Sequence, residues 1–116
     1  MTLKEVFDEL NFDYDSLYHR FSNNEALAVR FTKKFLDSPV YAELCSAVET
    51  NDYENIETKA HTLKGIAGNL NFSTLFMSSD ALVKAVRAKE YQRIPNIFQQ
   101  LKADYEQVVT VIRKLD

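Results

Sequence analysis

Two glycines and two prolines are all that 116 residues provide, and both glycines, Gly65 and Gly68, fall inside one stretch that reads as a continuous helix. Hairpins and tight loops draw on glycine and proline for their special backbone angles, so a chain this poor in both has few means of building a sheet. The rest is rich in leucine, alanine, glutamate and lysine, which favour helix. An all-α fold follows.

Apolar spacing and turn signals divide the chain into helices. Leu3, Val6, Phe7 and Leu10 mark a first short helix, with Thr2 and Glu5 spaced as a capping box. A second short helix runs from about Asp13 through Leu17, Tyr18 and Phe21, and Ser22-Asn23-Asn24 offers caps for the next. Leu27, Ala28, Phe31 and Phe35 define a third, which must stop before Pro39 because the residue ahead of proline is pushed out of the helical region. Ser38 and Pro39 restart a helix on Tyr41, Leu44, Cys45 and Val48, ending at the Asn51-Asp52 turn.

The histidine-bearing helix comes next and closes at Asn69 to Asn71. Ser73 is expected to cap the following one, whose inner face is Phe72, Leu75, Phe76, Ser79, Leu82, Val83 and Val86. The last helix carries Ile94, Ile97, Phe98, Leu101, Tyr105, Val108, Ile112 and Leu115, with Pro95 in its first turn, where no amide acceptor is lost. Short connections make successive helices antiparallel. The expected architecture is an antiparallel up-down four-helix bundle over residues 23–116, with short helices in residues 1–22 covering one end. A chain of this length supports one domain with a core of its own, residues 1–116, and a monomer.

Composition excludes several classes. A net charge of −3 and no basic stripe argue against nucleic acid. Apolar runs stop far short of the ~20 residues a membrane span needs, and no basic-then-apolar leader precedes the first helix, so the expected location is the cytoplasm. Met1 close to the first helix suggests a free-standing protein. Cys45 is the only cysteine, which removes internal disulfides and cysteine metal clusters, and it reads as a small core residue. His19 has no neighbourhood that suggests a role.

His61 is different. Tyr53, Ile56, Ala60, Leu63, Ala67 and Leu70 recur at steps of three and four, the buried seam of a bundle helix. Glu54, Glu57, Thr58, His61, Lys64, Gly65 and Gly68 fall on the other side. Glycine within a helix costs roughly 1 kcal/mol relative to alanine, so two of them need a reason. They stand four and seven residues after His61, on its own face, and clear side chains from the surface beside the imidazole. An exposed, uncrowded histidine with a lysine one turn away is a nucleophile with a partner for an anion.

Ala60-His61-Thr62-Leu63-Lys64-Gly65-Ile66-Ala67-Gly68-Asn69-Leu70 resembles the signature of the histidine-containing phosphotransfer domain of multistep phosphorelays. The likeness extends upstream through the Phe31-to-Phe35 helix, the Leu44-to-Val48 segment and the Asn51-Asp52 turn. It implies that His61 accepts a phosphoryl group from an aspartyl phosphate on one receiver domain and passes it to the aspartate of another, with Lys64 steadying the phosphate and Gly65 admitting the receiver. The implied partners are receiver domains of a hybrid histidine kinase or a response regulator. Gly68, Glu57 and Thr58 would contribute to the docking face. The protein itself would be a relay intermediate, not a kinase, and would need no cofactor, since magnesium belongs to the receiver. Two positions depart from the family pattern: Asn71 stands where many members have glycine, and Val83 where an acidic residue often follows.

Other readings are weaker on the residues. Glu57 and His61 at i and i+4 supply two metal ligands where a protein site ordinarily has three or four. A kinase dimerisation domain would need a His-Glu pair and an ATP-binding domain. A non-catalytic adaptor that docks receivers shares the bundle and the docking face, and the intact His61 distinguishes it.

Overall fold

The computed structural model describes residues 1–116. Seven α-helices and two single 3-10 turns carry the chain, with no strand: α1 Leu3–Leu10, α2 Tyr14–Arg20, α3 Glu25–Lys34, a 3-10 turn at Phe35–Asp37, α4 Val40–Glu49, α5 Tyr53–Asn69, α6 Ser73–Arg87, a 3-10 turn at Tyr91–Arg93, and α7 Ile94–Ile112.

A chain that spends its glycines inside a helix must turn corners by other means. Six residues adopt positive φ, namely Asn11, Ser22, Asn23, Asn51, Asn71 and Lys89, and none of them is glycine. Four are asparagines, whose short amide side chain tolerates the left-handed conformation better than most. Helix starts use the same economy of small polar residues. Thr2 and Glu5 close a capping box, with Thr2 Oγ1 accepting from the Glu5 amide at 3.2 Å and Glu5 Oε1 from the Thr2 amide at 2.8 Å. Asp13, Asn24 and Asp52 cap α2, α3 and α5 through bonds from the amides of Ser16, Leu27 and Asn55. The expectation for α6 is corrected: the cap position is Phe72, Ser73 is already helical, and no side chain bonds the first amides.

Helices α4 to α7 form the antiparallel bundle. Glu57 pairs with Arg87 and Lys64 with Asp80, so moving forward along α5 moves backward along α6. At the far end of the same pair Tyr53 stacks on Tyr91, with ring centroids 3.9 Å apart and planes within 3°. Lys59 of α5 reaches Glu43 of α4 at 3.5 Å. Tyr41 of α4 stacks on Tyr105 of α7 at 3.6 Å, which closes the ring of four.

Phe72 ties the amino-terminal helices to this bundle. Fully buried, it meets Phe7 of α1 and Phe12 at 6.2 Å and Phe35 at 5.1 Å. Phe72→Ala is therefore expected to cost about 3–5 kcal/mol, the usual range for removing a buried aromatic ring. Urea unfolding followed by circular dichroism measures it; a loss below ~1 kcal/mol would mean that this cluster does not hold the two parts together.

The buried seam of α5 is Ile56, Ala60, Leu63 and Ala67, continued by Leu70. Tyr53 is only half-buried, since its ring covers the end of the bundle. Three further core assignments are corrected. Phe31 is 40% and Phe76 37% exposed, and Cys45 is half-buried. Each lies at the edge of its helix's apolar stripe, where helical spacing alone does not decide between interior and rim. No helix is long and apolar enough to cross a membrane.

Candidate functional site

His61 lies midway along α5 on its solvent face, exposed, and its imidazole makes no hydrogen bond within the chain. The seam residues Ala60 and Leu63 on either side are buried against the bundle, so the backbone that carries the ring is held while the ring is free. Thr58 and Thr62 donate their hydroxyls to the carbonyls four residues back, Glu54 and Thr58, at 3.0 Å each.

The two glycines separate in function. A Cβ built on Gly65 would meet nothing within 4 Å. Gly65 is therefore open ground beside His61, and no packing inside the protein calls for its missing side chain. At Gly68 a Cβ would lie 3.3 Å from the Phe76 ring. The space cleared there is taken by an aromatic side chain from α6, and the Gly68 carbonyl accepts a hydrogen bond from Arg20 of α2. The flat surface foreseen over both glycines is present at Gly65 and filled at Gly68.

Lys64 is already engaged. Its Nζ is 2.9 Å from Asp80 Oδ1 and 5.7 Å from the centroid of the Phe76 ring. Asp80 Oδ2 is also 2.9 Å from Lys84. One carboxylate thus spans two ammonium groups, and Lys64 can leave it without stranding a bare charge. Glu57, on the opposite side of His61 along the helix, is held by Arg87 Nε at 3.1 Å. Sequence spacing did not single out Asp80, Arg20 or Arg87, and it placed Phe76 on the inner face of its helix rather than beside the site. Asp80 carried a local signal in its i+4 relation to Lys84, but nothing local pointed it towards Lys64.

The hydrogen bonds from Lys84 and then Lys64 hold the Asp80 carboxyl below its ordinary 3.8. Because the folded value is depressed, the ionised form favours folding. That contribution is full above about pH 4 and disappears as the pH falls through the lowered folded value. Asp80→Asn should therefore lose less stability than the parent protein between pH 4 and pH 2 (approximate bounds), as read by acid unfolding. Parallel acid transitions in the two proteins would show that the pair adds nothing.

A family model described as the Hpt domain matches residues 38–111, well over half the chain and all of α4 to α6 with nearly all of α7. The chain belongs to the Hpt domain family. No curated protein and no solved structure matched it. Hpt domains carry out histidine phosphotransfer in phosphorelays and interact with receiver domains. The two departures from the family pattern have structural explanations in this Hpt domain. Asn71 takes the left-handed conformation, φ 60°, that a glycine would supply, and its side-chain amide donates to the Asp13 carbonyl at 2.7 Å. Val83 is 1% exposed, a core residue of α6; the acidic group of α6 that faces the histidine helix is Asp80, three residues earlier.

Proposed function

We propose that this Hpt domain is a relay intermediate in which His61 is the phosphorylated residue. The observation that carries the reading is an exposed, unbonded imidazole with open backbone at Gly65 beside it and a cation, Lys64, one turn away. Phosphoryl transfer asks the protein mainly for a positioned nucleophile and compensation of charge on the equatorial oxygens. A neutral ring nitrogen of His61 attacks the phosphorus of a receiver's aspartyl phosphate. The N–P bond forms, the P–O bond to the aspartate breaks, and the carboxylate leaves with its electron pair. The second ring nitrogen then releases its proton to solvent. Return to another receiver's aspartate reverses these steps, and magnesium is supplied by the receiver.

Lys64 is the phosphate's cation in this scheme. Three residues from His61 on the same helix, its ammonium has the reach, and Asp80 keeps Lys84 when Lys64 turns to the phosphate. Glu57 and Thr58 border the approach, and Gly65 admits the receiver. Residues 1–116 act as one unit in this proposal, with α1 to α3 adding to the docking side.

Incubation with phosphorylated receiver domains of the source organism should label His61 with an acid-labile, base-stable phosphate. An acid-stable label, or one on another residue, would overturn the assignment. Lys64→Ala should slow transfer by about tenfold, a loss of ~1.4 kcal/mol of transition-state stabilisation, in single-turnover assays. An unchanged rate would leave Lys64 as a structural partner of Asp80 alone.

A further inference from the structure

Asp104 of α7 is the only charged side chain that the fold buries, at 8% exposure. None of the chain's ion pairs includes it. Its one hydrogen bond runs from Gln100 Nε2 to Oδ1 at 3.0 Å. Taking a carboxylate out of water without a cation is costly, so a helix that turns one inward needs a reason.

A cleft of about 320 Å³ between α6 and α7 supplies one. Asp104 and Gln100 line it from α7, and Thr74, Met77 and Ser78 from α6. Ser78 is 7% exposed, so two of the four polar side chains that the fold buries meet here. The Ser78 hydroxyl donates to the Thr74 and Leu75 carbonyls at 3.2 and 3.4 Å, and Gln100 donates to Asp104. What this lining has left to offer is chiefly lone pairs, on Asp104 Oδ2, Ser78 Oγ, Thr74 Oγ1 and the Gln100 amide oxygen. Beside them stands Met77, at 69% the most exposed large apolar side chain of the molecule.

We infer that this cleft binds an alkylammonium group, with the ammonium on Asp104 and its methylene chain along Met77. An anion is repelled by the carboxylate. A divalent metal ordinarily takes about six or more oxygen ligands, and one carboxylate leaves its charge half-compensated. A guanidinium is held best through both carboxylate oxygens, and Gln100 already occupies Oδ1. An ammonium carries three donors and no acceptor, which suits Oδ2 together with the neighbouring hydroxyl and amide oxygens. Ser78 stands about 200° around α6 from both Phe76 and Asp80, the residues that meet α5. The cleft therefore lies away from the histidine's face, and the inference rests on no part of the phosphorelay reading. Two sources carry this chemistry, a free polyamine and the lysine side chain of another protein.

The full chain is titrated with n-butylammonium at constant ionic strength while amide proton–nitrogen correlation spectra are recorded. Tetramethylammonium, a cation without N–H groups, is the control. The amides of Ser78, Gln100 and Asp104 should shift saturably with n-butylammonium, and tetramethylammonium should bind at least about tenfold more weakly. Asp104→Asn, of the same shape, should also weaken n-butylammonium binding by about tenfold or more. Ser78→Ala keeps the carboxylate and a good helix former, and should weaken it about threefold. Thermal melts give a second readout: n-butylammonium should raise the melting temperature of the parent and leave that of Asp104→Asn where it was. Absence of saturable shifts overturns the site, as does equal binding of the two cations or parental affinity in both variants. Magnesium ion saturating the same amides more tightly than n-butylammonium overturns the choice of an amine. Spermidine and a blocked lysine tripeptide are then compared. Shifts of the same amides support the site, and the tighter of the two names the source; failure of both overturns it.

Discussion

Replacing His61 by glutamine is expected to abolish phosphoryl acceptance, by more than about a thousandfold, and to leave the fold as it is. The amide of glutamine has no free nitrogen lone pair to attack phosphorus, so the covalent route is closed rather than slowed. The structural cost is small because the exposed imidazole has no hydrogen-bond partner in the chain to strand; surface changes of this kind ordinarily stay within about 0.5 kcal/mol. Radiolabel transfer from phosphorylated receivers gives the first quantity and a thermal melt followed by circular dichroism the second. Label retained at the parental level would move the phosphorylation site elsewhere. A collapsed melt would show that the histidine also has a structural duty.

Gly65→Leu should separate stability from function in the opposite direction. A Cβ at this position meets nothing within 4 Å, and exchanging a mid-helix glycine for leucine ordinarily gains up to ~1 kcal/mol, a rise of roughly 4 °C in melting temperature. The new side chain projects about 40° around the helix from His61 and one turn along it, into the space a receiver must enter. Misplacing reacting groups by even ~1 Å can cost on the order of a hundredfold, so transfer from receivers should fall by at least that factor. Acceptance from phosphoramidate, which needs no such clearance, should persist near the parental rate. Parental transfer from receivers in a stabilised Gly65→Leu protein would remove the approach argument. Gly68→Leu differs physically, because its side chain must displace the Phe76 ring 3.3 Å away; any gain in helix propensity there is offset by repacking.

These contrasts trace what was legible in one dimension. Helix boundaries followed from signals a few residues apart, such as the Thr2-Glu5 capping box, the start near Asp13, the caps offered by Ser22-Asn23-Asn24, and the turns at Asn51-Asp52 and Asn69 to Asn71. The seam of α5 followed from steps of three and four, and it set His61 towards water. Helical periodicity reports direction around one axis, and within that limit it was sufficient. Ser73 failed as a cap because the helix starts one residue earlier, at the fully buried Phe72, and Phe31 and Phe76 failed as core because the rim of a stripe depends on how close the next helix comes.

The sequence by itself therefore determined an all-helical chain, its turns, and an uncrowded histidine on a held backbone. Tertiary structure alone decided that Asp80 stands opposite Lys64, that Phe76 fills the space over Gly68 while Gly65 stays bare, and that Arg20 of α2 reaches the Gly68 carbonyl. The reason is register. Which residue of α6 or α2 lies beside a given residue of α5 depends on how far antiparallel helices slide before their cores interlock, a quantity set by the packing of Phe72, Leu63 and their neighbours and written in no local stretch of either helix.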